Sequence, residues 1–170
     1  MKMPRKLLAY PEKILACKAV PVDGIDDHIR ELSKDMTRIM YENRGIGLAA
    51  PQVGESLRLI TVDISGPDKR ESLMVLVNPE ILESHGECDS EEGCLSVVGY
   101  QSVIKRAEKV RVRAKDLEGK EVVLEADGLL ATCLQHEIDH LEGVLFIDRI
   151  SRLKRKFYDK KLARWLSKKS

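Results

Sequence analysis

Hydrophobic positions recur at helical spacing in three parts of the chain. Each of these segments is preceded by a residue suited to an N-cap, and the first two are followed by a glycine that suits a helix stop. The pattern predicts three helices, which cover residues 25–43 (N-cap Asp23 or Asp26, stop Gly45), the segment between Asp127 and Gly143, and the segment from Ser151 to about 167.

Between the first two helices, the spacing of apolar residues changes to that of strands. The predicted strands are 57–64, 73–79 and, as a hairpin around the turn Leu-Glu-Gly-Lys, 109–116 and 121–126. Residues 81–96 are polar and extended around a glycine-marked turn. Residues 45–56 contain three glycines and a proline, which predicts a loop. A helix, several strands and two further helices form an α+β order rather than regular βαβ alternation.

The composition is that of a folded globular protein. Apolar residues make up 43% and charged residues 34% of the chain, which argues against disorder. The longest aliphatic run is the five residues from Leu73 to Val77, whereas a membrane-spanning helix needs about twenty. The first residues contain no apolar stretch of signal-peptide length. We therefore expect a cytoplasmic protein with four reduced cysteines, and the lack of a C-x-x-C pair excludes a zinc ribbon.

The end of the chain is electrostatically distinct from the rest. Residues 149–170 hold ten Lys or Arg against one acid, whereas residues 1–148 hold 19 bases and 27 acids. We expect 149–170 to form a basic amphipathic helix, either part of the main domain or appended to it. Such a helix can be a solvated surface, lie on a membrane, or bind RNA phosphates. Its apolar stripe consists of Ile150, Leu153, Phe157, Tyr158, Leu162, Trp165 and Leu166.

One motif in the second predicted helix indicates metal chemistry. His136-Glu137-Ile138-Asp139-His140 matches H-E-x-x-H. Two histidines four residues apart lie on one helix face, where both can bind one divalent ion. Glu137 lies about 100° further round the helix, where it can exchange a proton with a bound water. The alternative is an ordinary helix that exposes these side chains.

A catalytic ion needs a third protein ligand and an open position. The metzincin class places a third histidine where this chain has Phe146, so that class is excluded. No glutamate follows Glu142, which argues against a thermolysin-like ligand set. Cys133 lies about 10 Å from His140 along the helix axis, so it is better explained as a core thiol. The remaining candidates are Asp148, Asp159, Cys17, His28, His85, Cys88 and Cys94.

Three segments together resemble the signature motifs of peptide deformylase. They are GIGLAAPQVG at 45–54, EGCLS at 92–96 and QHEIDH at 135–140, in the family's order and at comparable separations. YPEKIL at 10–15 and VNPEIL at 77–82 are also similar to that family. The resemblance implies an α+β fold in which antiparallel or mixed strands surround a central H-E-x-x-H helix, with an N-terminal and a C-terminal helix. Residues 1–148 would then be a deformylase-like catalytic domain.

The resemblance implies a hydrolase that removes the N-formyl group from the N-terminal methionine of nascent polypeptides and releases formate. It selects Cys94 as the third metal ligand beside His136 and His140. A hydroxide held by the metal would attack the formyl carbon. Glu137 would act as the general base and then as the general acid.

The resemblance also assigns residues around the substrate. The Gln52 amide and the backbone N–H of Leu95 would stabilise the developing oxyanion, although a loop amide such as Gln52 has an ordinary structural explanation as well. Gly47 would lie beside the substrate backbone. The pocket for the methionine side chain would be lined by Ile46, Leu129 and Cys133.

The chain departs from the family pattern just after the second motif. The family often has proline at the positions of Val98 and Lys105, and it typically has arginine at the position of Gln101. That arginine is implied to help hold the substrate. Because glutamine cannot offer a charged bidentate fork, we expect Gln101 to affect substrate affinity.

The resemblance implies ferrous iron as the metal in the cell. Zn²⁺, Ni²⁺ or Co²⁺ can also occupy a site of two imidazoles and a thiolate. The implied partners are formyl-methionyl nascent peptides and, through the basic helix, the ribosome; no membrane or DNA partner is expected. Two alternatives stay open, namely a metallo-amidase or peptidase with another acyl preference, and a weakly active ribosome- or RNA-binding paralogue.

Overall fold

The computed structural model describes residues 3–170, which form two antiparallel sheets with helices packed around them. The strands are β1 (Gly47–Ala49), β2 (Leu59–Val62), β3 (Met74–His85), β4 (Cys88–Cys94), β5 (Val97–Arg106), β6 (Lys109–Lys115) and β7 (Glu121–Asp127). The α-helices are α1 (Asp27–Glu42), α2 (Gly66–Lys69), α3 (Gly128–Leu141) and α4 (Arg152–Lys169), and 3₁₀ turns cover Lys13–Ala16, Ala50–Val53 and Phe146–Asp148. The predicted α+β class is confirmed.

The first predicted helix forms as α1. Its N-cap is Asp26, whose carboxylate accepts a hydrogen bond from the N–H of Ile29 at 3.0 Å. The helix ends at Glu42, and Arg44 rather than Gly45 takes the left-handed conformation, with φ at 58°. The apolar face of α1 packs against the strands β1 and β2, as its helical period predicts.

The larger sheet has the strand order β1-β2-β3-β6-β7, with every neighbouring pair antiparallel. The predicted hairpin is confirmed as β6 and β7, and its turn places Gly119 at a φ of 82°. Helix α3 lies against this sheet and buries Ala131, Leu134 and Leu141 in the core beneath it. The H-E-x-x-H motif is therefore carried by a helix that is packed along one whole side.

Several local predictions need correction. Residues 45–56 are not a loop throughout, because they contain β1 and a 3₁₀ turn; Gly47 lets this strand approach α3 closely. The strand predicted at 73–79 continues to His85 as β3, and β5 was not predicted. Asp127 occupies the N-cap position of α3 but makes no side-chain capping hydrogen bond.

The C-terminal helix α4 begins as predicted after Ser151, whose side chain accepts a hydrogen bond from the N–H of Lys154 at 3.2 Å. Part of its apolar stripe packs against the rest of the protein, and part is exposed to solvent. Tyr158 and Leu162 are buried against the rest of the protein. The exposed members of the stripe are Leu153, Phe157, Trp165 and Leu166. Within residues 3–170, no helix has the length and apolarity needed to cross a membrane.

Candidate metal centre and active-site cleft

The structure brings Cys94, at the end of β4, next to the two histidines of α3. One potential ligand atom from each of Cys94, His136 and His140 lies within 4.8 Å of the others. The Sγ of Cys94 is 3.4 Å from Nε2 of His140. Among the described residues, no second cluster of this kind is present. The other third-ligand candidates are therefore not assembled with the histidines.

The donor set fits one divalent transition-metal ion. The Nδ1 of His136 lies 2.8 Å from a Glu92 carboxylate oxygen, which leaves Nε2 of that ring for a metal. Burial lowers the pKa of His140 well below its usual range, which favours the neutral form that a metal ligand requires. Two imidazole nitrogens and one thiolate sulfur suit iron, zinc, nickel or cobalt.

A buried network of ion pairs holds the His136 ring through its Nδ1. This network was not predicted from the sequence. Arg106 donates to both carboxylate oxygens of Glu92 at 2.8 Å and to Asp139 at 2.6 Å. Burial alone would raise the pKa of Glu92, but the hydrogen bonds from Arg106 and His136 outweigh it and lower the pKa to about 2. Glu92 lies in the EGCLS motif, and the alternation of buried and exposed side chains along β4 places it on the inward face. The position of Glu92 in this strand was the sequence signal that could have predicted its burial.

Glu137 projects from α3 into the same region and is only 4% exposed. Its Oε2 has no hydrogen-bond partner among residues 3–170. Burial raises the pKa of Glu137 to about 7; the charge of Glu92 adds to this effect and that of His136 opposes it. A carboxyl group with this pKa can take up and release a proton near neutral pH.

Gln52 is held in a defined orientation beside the cluster. Its Oε1 accepts a hydrogen bond from the N–H of Ala49 at 2.9 Å, and its Nε2 donates to Oγ of Ser96 at 3.0 Å. The same Nε2 lies 3.6 Å from Sγ of Cys94. Ser96 was not singled out from the sequence, although it closes the EGCLS motif. Leu95 lies between Cys94 and Ser96 in the turn that leads to β5.

A cleft of about 730 Å³ opens in front of these residues. It brings together the other predicted site residues, namely Ile46, Gly47, Leu95, Gln101, Leu129 and Cys133. Leu129 is 55% exposed, so it can form only part of a pocket wall. Burial raises the pKa of the Cys133 thiol well above its usual range, which agrees with a core thiol rather than a ligand.

The fold and the site define a class of protein. A buried glutamate, the first histidine of an H-E-x-x-H helix and a cysteine from β4 line one cleft, and a potential ligand atom of the second histidine lies within 4.8 Å of those of the first histidine and the cysteine. This is the arrangement of a mononuclear metal-dependent hydrolase.

Comparison with known proteins identifies the family. Residues 4–156 match the model of polypeptide deformylase. The chain is 52% identical over 152 residues to a peptide deformylase of Thermodesulfovibrio yellowstonii, which covers 89% of this chain and 92% of the relative. It is 51% identical over 155 residues to one of Syntrophobacter fumaroxidans, with 91% of each chain covered.

Solved structures agree with this similarity. A crystal structure of a peptide deformylase from Legionella pneumophila superposes with a TM-score of 0.90 at 49% identity, over 98% of each chain. One from Synechococcus elongatus in complex with actinonin superposes with a TM-score of 0.85 at 41% identity, over 94% of this chain and 86% of that chain. The chain belongs to the polypeptide deformylase family. Its activity is that of a metal-binding hydrolase of protein biosynthesis that removes the N-formyl group from nascent peptides.

Proposed function

We propose that the cleft binds the formyl-methionyl end of a nascent polypeptide beside one divalent ion held by Cys94, His136 and His140. When bound, such an ion supplies an acidified water and a Lewis acid for the formyl oxygen. The observation that carries the proposal is the convergence of three ligand atoms within 4.8 Å next to a buried carboxylate oxygen that has no partner among residues 3–170.

In this proposal, Glu137 is the group that moves protons. Its carboxylate takes a proton from the attacking water and delivers it to the leaving amine, so that formate and a free N-terminus result. Two features support this role. The pKa near 7 lets one carboxyl group serve in both directions, and its burial keeps bulk water from competing for the proton.

Gln52 and Leu95 are proposed to stabilise the negative charge that develops on the formyl oxygen. The Gln52 amide is pre-oriented by Ala49 and Ser96, and pre-orientation is what makes such donors effective. The backbone N–H of Leu95 is the second proposed donor. Removal of one donor of this kind typically costs about 3 kcal/mol of transition-state stabilisation.

The remaining cleft residues are proposed to hold the peptide. Gly47 would lie beside the substrate backbone, and Ile46 and Leu129 would contact the methionine side chain. Gln101 packs over Gly93, with its Cγ 3.2 Å from the position that a Cβ on Gly93 would take. An uncharged side chain at that place supports our expectation that Gln101 influences substrate affinity.

The test is formate release from a formyl-methionyl peptide by wild type and by Glu137→Gln, which keeps the shape of the side chain. We expect the variant to bind the same amount of metal and to lose about 10²- to 10⁴-fold in kcat. Glu125→Gln on the exposed face of β7 serves as a matched control with wild-type activity. Formate release by Glu137→Gln at the wild-type rate, with equal metal content, would contradict the role of Glu137. An acetyl-methionyl peptide measures the acyl preference.

Three finer assignments accompany this function. We propose Fe²⁺ as the metal in the cell, with Zn²⁺, Ni²⁺ or Co²⁺ able to replace it, because the mixed nitrogen and sulfur set accepts all four ions. We propose the cytoplasm as the compartment, since nascent formylated chains are the substrate. We propose residues 1–148 as the catalytic domain and 149–170 as the basic amphipathic helix.

We further propose that α4 binds the ribosome. The helix exposes cations next to apolar side chains, of which Phe157 is 63% and Leu153 is 64% exposed. Lys160 and Lys161 are also exposed. Such cations neutralise RNA phosphates and release counterions, which makes binding depend steeply on salt.

Charge reversal on α4 tests the ribosome proposal. The double variant Lys160→Glu/Lys161→Glu should weaken co-sedimentation with ribosomes about tenfold or more and reduce its salt dependence. It should leave peptide deformylation unchanged. Lys115→Glu/Lys120→Glu makes the same charge change at the β6–β7 hairpin and should bind like wild type. Undiminished co-sedimentation of the α4 variant would refute this proposal.

A further inference from the structure

The β4–β5 ladder is interrupted between Gly93 and the proposed ligand Cys94. Gly93 pairs with Gln101, and Cys94 pairs with Val97, so residues 98–100 of β5 have no register partner on β4. Strand pairing therefore does not fix this segment. Because the segment directly follows the residue opposite Cys94, its position affects the turn that carries both the thiolate and the Leu95 N–H.

The C-terminal helix α4 holds this unpaired segment. The hydroxyl of Tyr158, a residue that is 3% exposed, donates a hydrogen bond to the carbonyl of Val98 at 3.0 Å. The Tyr158 ring lies 5.0 Å from the Tyr100 ring, centroid to centroid. Tyr100 in turn stacks on Phe146 at 6.1 Å, and Phe146 stacks on the imidazole of His136 at 6.3 Å. A series of packed rings thus connects α4 to a proposed metal ligand.

A second tyrosine in the same cluster provides a natural comparison. The N–H of Tyr10 donates to the carbonyl of Ser96 at 2.8 Å, which holds the other side of the turn through a backbone bond. The Tyr10 hydroxyl binds α4 instead, since it donates to Asp159 at 2.8 Å and accepts from Arg155 at 3.1 Å. Of the two hydroxyls, only that of Tyr158 contacts the unpaired segment.

We propose that Tyr158 is a positioning residue of the active site. Its hydroxyl and ring hold residues 98–100 and thereby set the position of Cys94 and of the Leu95 N–H. The inference rests on the roles proposed above for Cys94 and Leu95. Burial raises the pKa of the Tyr158 hydroxyl, so the group stays protonated and remains a donor.

The matched pair Tyr158→Phe and Tyr10→Phe tests the proposal, because each variant removes one hydroxyl from the same aromatic cluster. One hydrogen bond of ordinary strength corresponds to a roughly two- to tenfold change in an equilibrium or a rate. We expect Tyr158→Phe to lower kcat by about that factor with KM unchanged, since the donor it positions acts in the transition state. Tyr10→Phe should keep the wild-type kcat and lose about as much thermal stability as Tyr158→Phe.

The absorption spectrum of the Co²⁺-substituted protein gives a readout that is independent of turnover. The charge-transfer band of a thiolate bound to cobalt reports the geometry at Cys94. It should change in Tyr158→Phe and stay as in wild type in Tyr10→Phe.

Two outcomes would overturn the proposal, and a third would count against the proposed function instead. Wild-type kcat and spectrum in Tyr158→Phe would overturn it. Equal losses in both variants would also overturn it, because they would reflect general docking of α4. If wild type released no formate, the proposed function would fail instead, and the cobalt spectra alone would decide whether Tyr158 positions Cys94.

Discussion

Adding one methyl group at Gly47 tests whether the position of the Glu137 carboxylate limits catalysis. A Cβ built on Gly47 would lie 2.5 Å from Oε1 of Glu137 and 3.0 Å from Sγ of Cys133. Because favourable contacts between such atoms begin near 3.5 Å, the carboxylate must retreat by about 1 Å. The backbone accepts alanine without strain, since Gly47 is not among the residues with positive φ.

The expected loss of kcat and of stability in Gly47→Ala follows from the tight packing around Glu137. Glu137 is 4% exposed, and Leu134, Ile138 and Leu141 of the same helix are also buried, so α3 cannot move freely to relieve the contact. A misplacement of about 1 Å in a catalytic group costs about 10²-fold in rate. Overpacking of this kind costs about 1–3 kcal/mol of stability, which lowers the Tm by about 2–12 °C for a chain of this length.

The assay is formate release at saturating formyl-methionyl peptide, with metal content and Tm measured on the same preparation. We expect Gly47→Ala to fold, to hold metal, and to lose about a hundredfold in kcat. Gly24→Ala is the control, because a Cβ there meets no atom within 4 Å. A folded, metal-loaded Gly47→Ala protein with the wild-type kcat would refute the reasoning. It would show that catalysis does not depend on where the Glu137 carboxylate lies.

Two further predictions concern stability, and both are measured by urea unfolding. Arg106→Met removes the guanidinium that pairs with the buried carboxylate of Glu92, while Asp139 keeps its ion pair with Arg149 at 2.7 Å, so we expect a loss of about 3–5 kcal/mol. Lys105→Met, at an exposed ion pair, should lose less than about 1 kcal/mol, and equal losses would contradict the argument. Burial alone would raise the pKa of Asp63. Hydrogen bonds from its neighbours, including the Tyr41 hydroxyl at 2.5 Å, outweigh this effect, and the net result is a lowered pKa. The resulting stabilisation is present above the unfolded-state pKa of about 3.9 and is lost as the pH falls through the folded-state value. Asp63→Asn should therefore be about 1.5–3 kcal/mol less stable than wild type at pH near 7. A difference that stayed constant as the pH fell below the unfolded-state pKa and through the folded-state pKa would contradict this.

The elements that the sequence predicted well are those whose residues carry their own period. Helix α1 and the β6–β7 hairpin each have a regular apolar face and a recognisable cap or turn, so local pattern was sufficient. The strand β5 was missed because its inward positions include the polar Ser102 and Arg106, while Val103 faces solvent. Burial of Arg106 is possible only because carboxylates from β4 and α3 surround it, and no local pattern contains that information.

The candidate site shows the same division between local and distant information. His136 and His140 could be paired from helix geometry alone, because four residues on one helix bring two rings to the same face. Cys94 is 46 residues from His140, and the spacing left it among several candidates until the three motifs were considered together. Glu92 and Ser96 lie inside one of those motifs, yet their partners come from other parts of the fold, so their roles became visible only with the structure.

The position of Tyr158 changes how the two roles of α4 have to be separated. Deletion of 149–170 would remove the exposed cations proposed to bind the ribosome together with the tyrosine that holds residues 98–100. Loss of activity in such a truncated protein would therefore not show that the basic surface takes part in catalysis. The buried and exposed faces of α4 are distinct, so substitutions at Lys160 and Lys161 act on the surface alone, and Tyr158→Phe acts on the active-site frame alone. The triple variant that combines these changes should show independent effects on ribosome binding and on kcat if the two faces are uncoupled, since additivity is expected only for sites that share no partners.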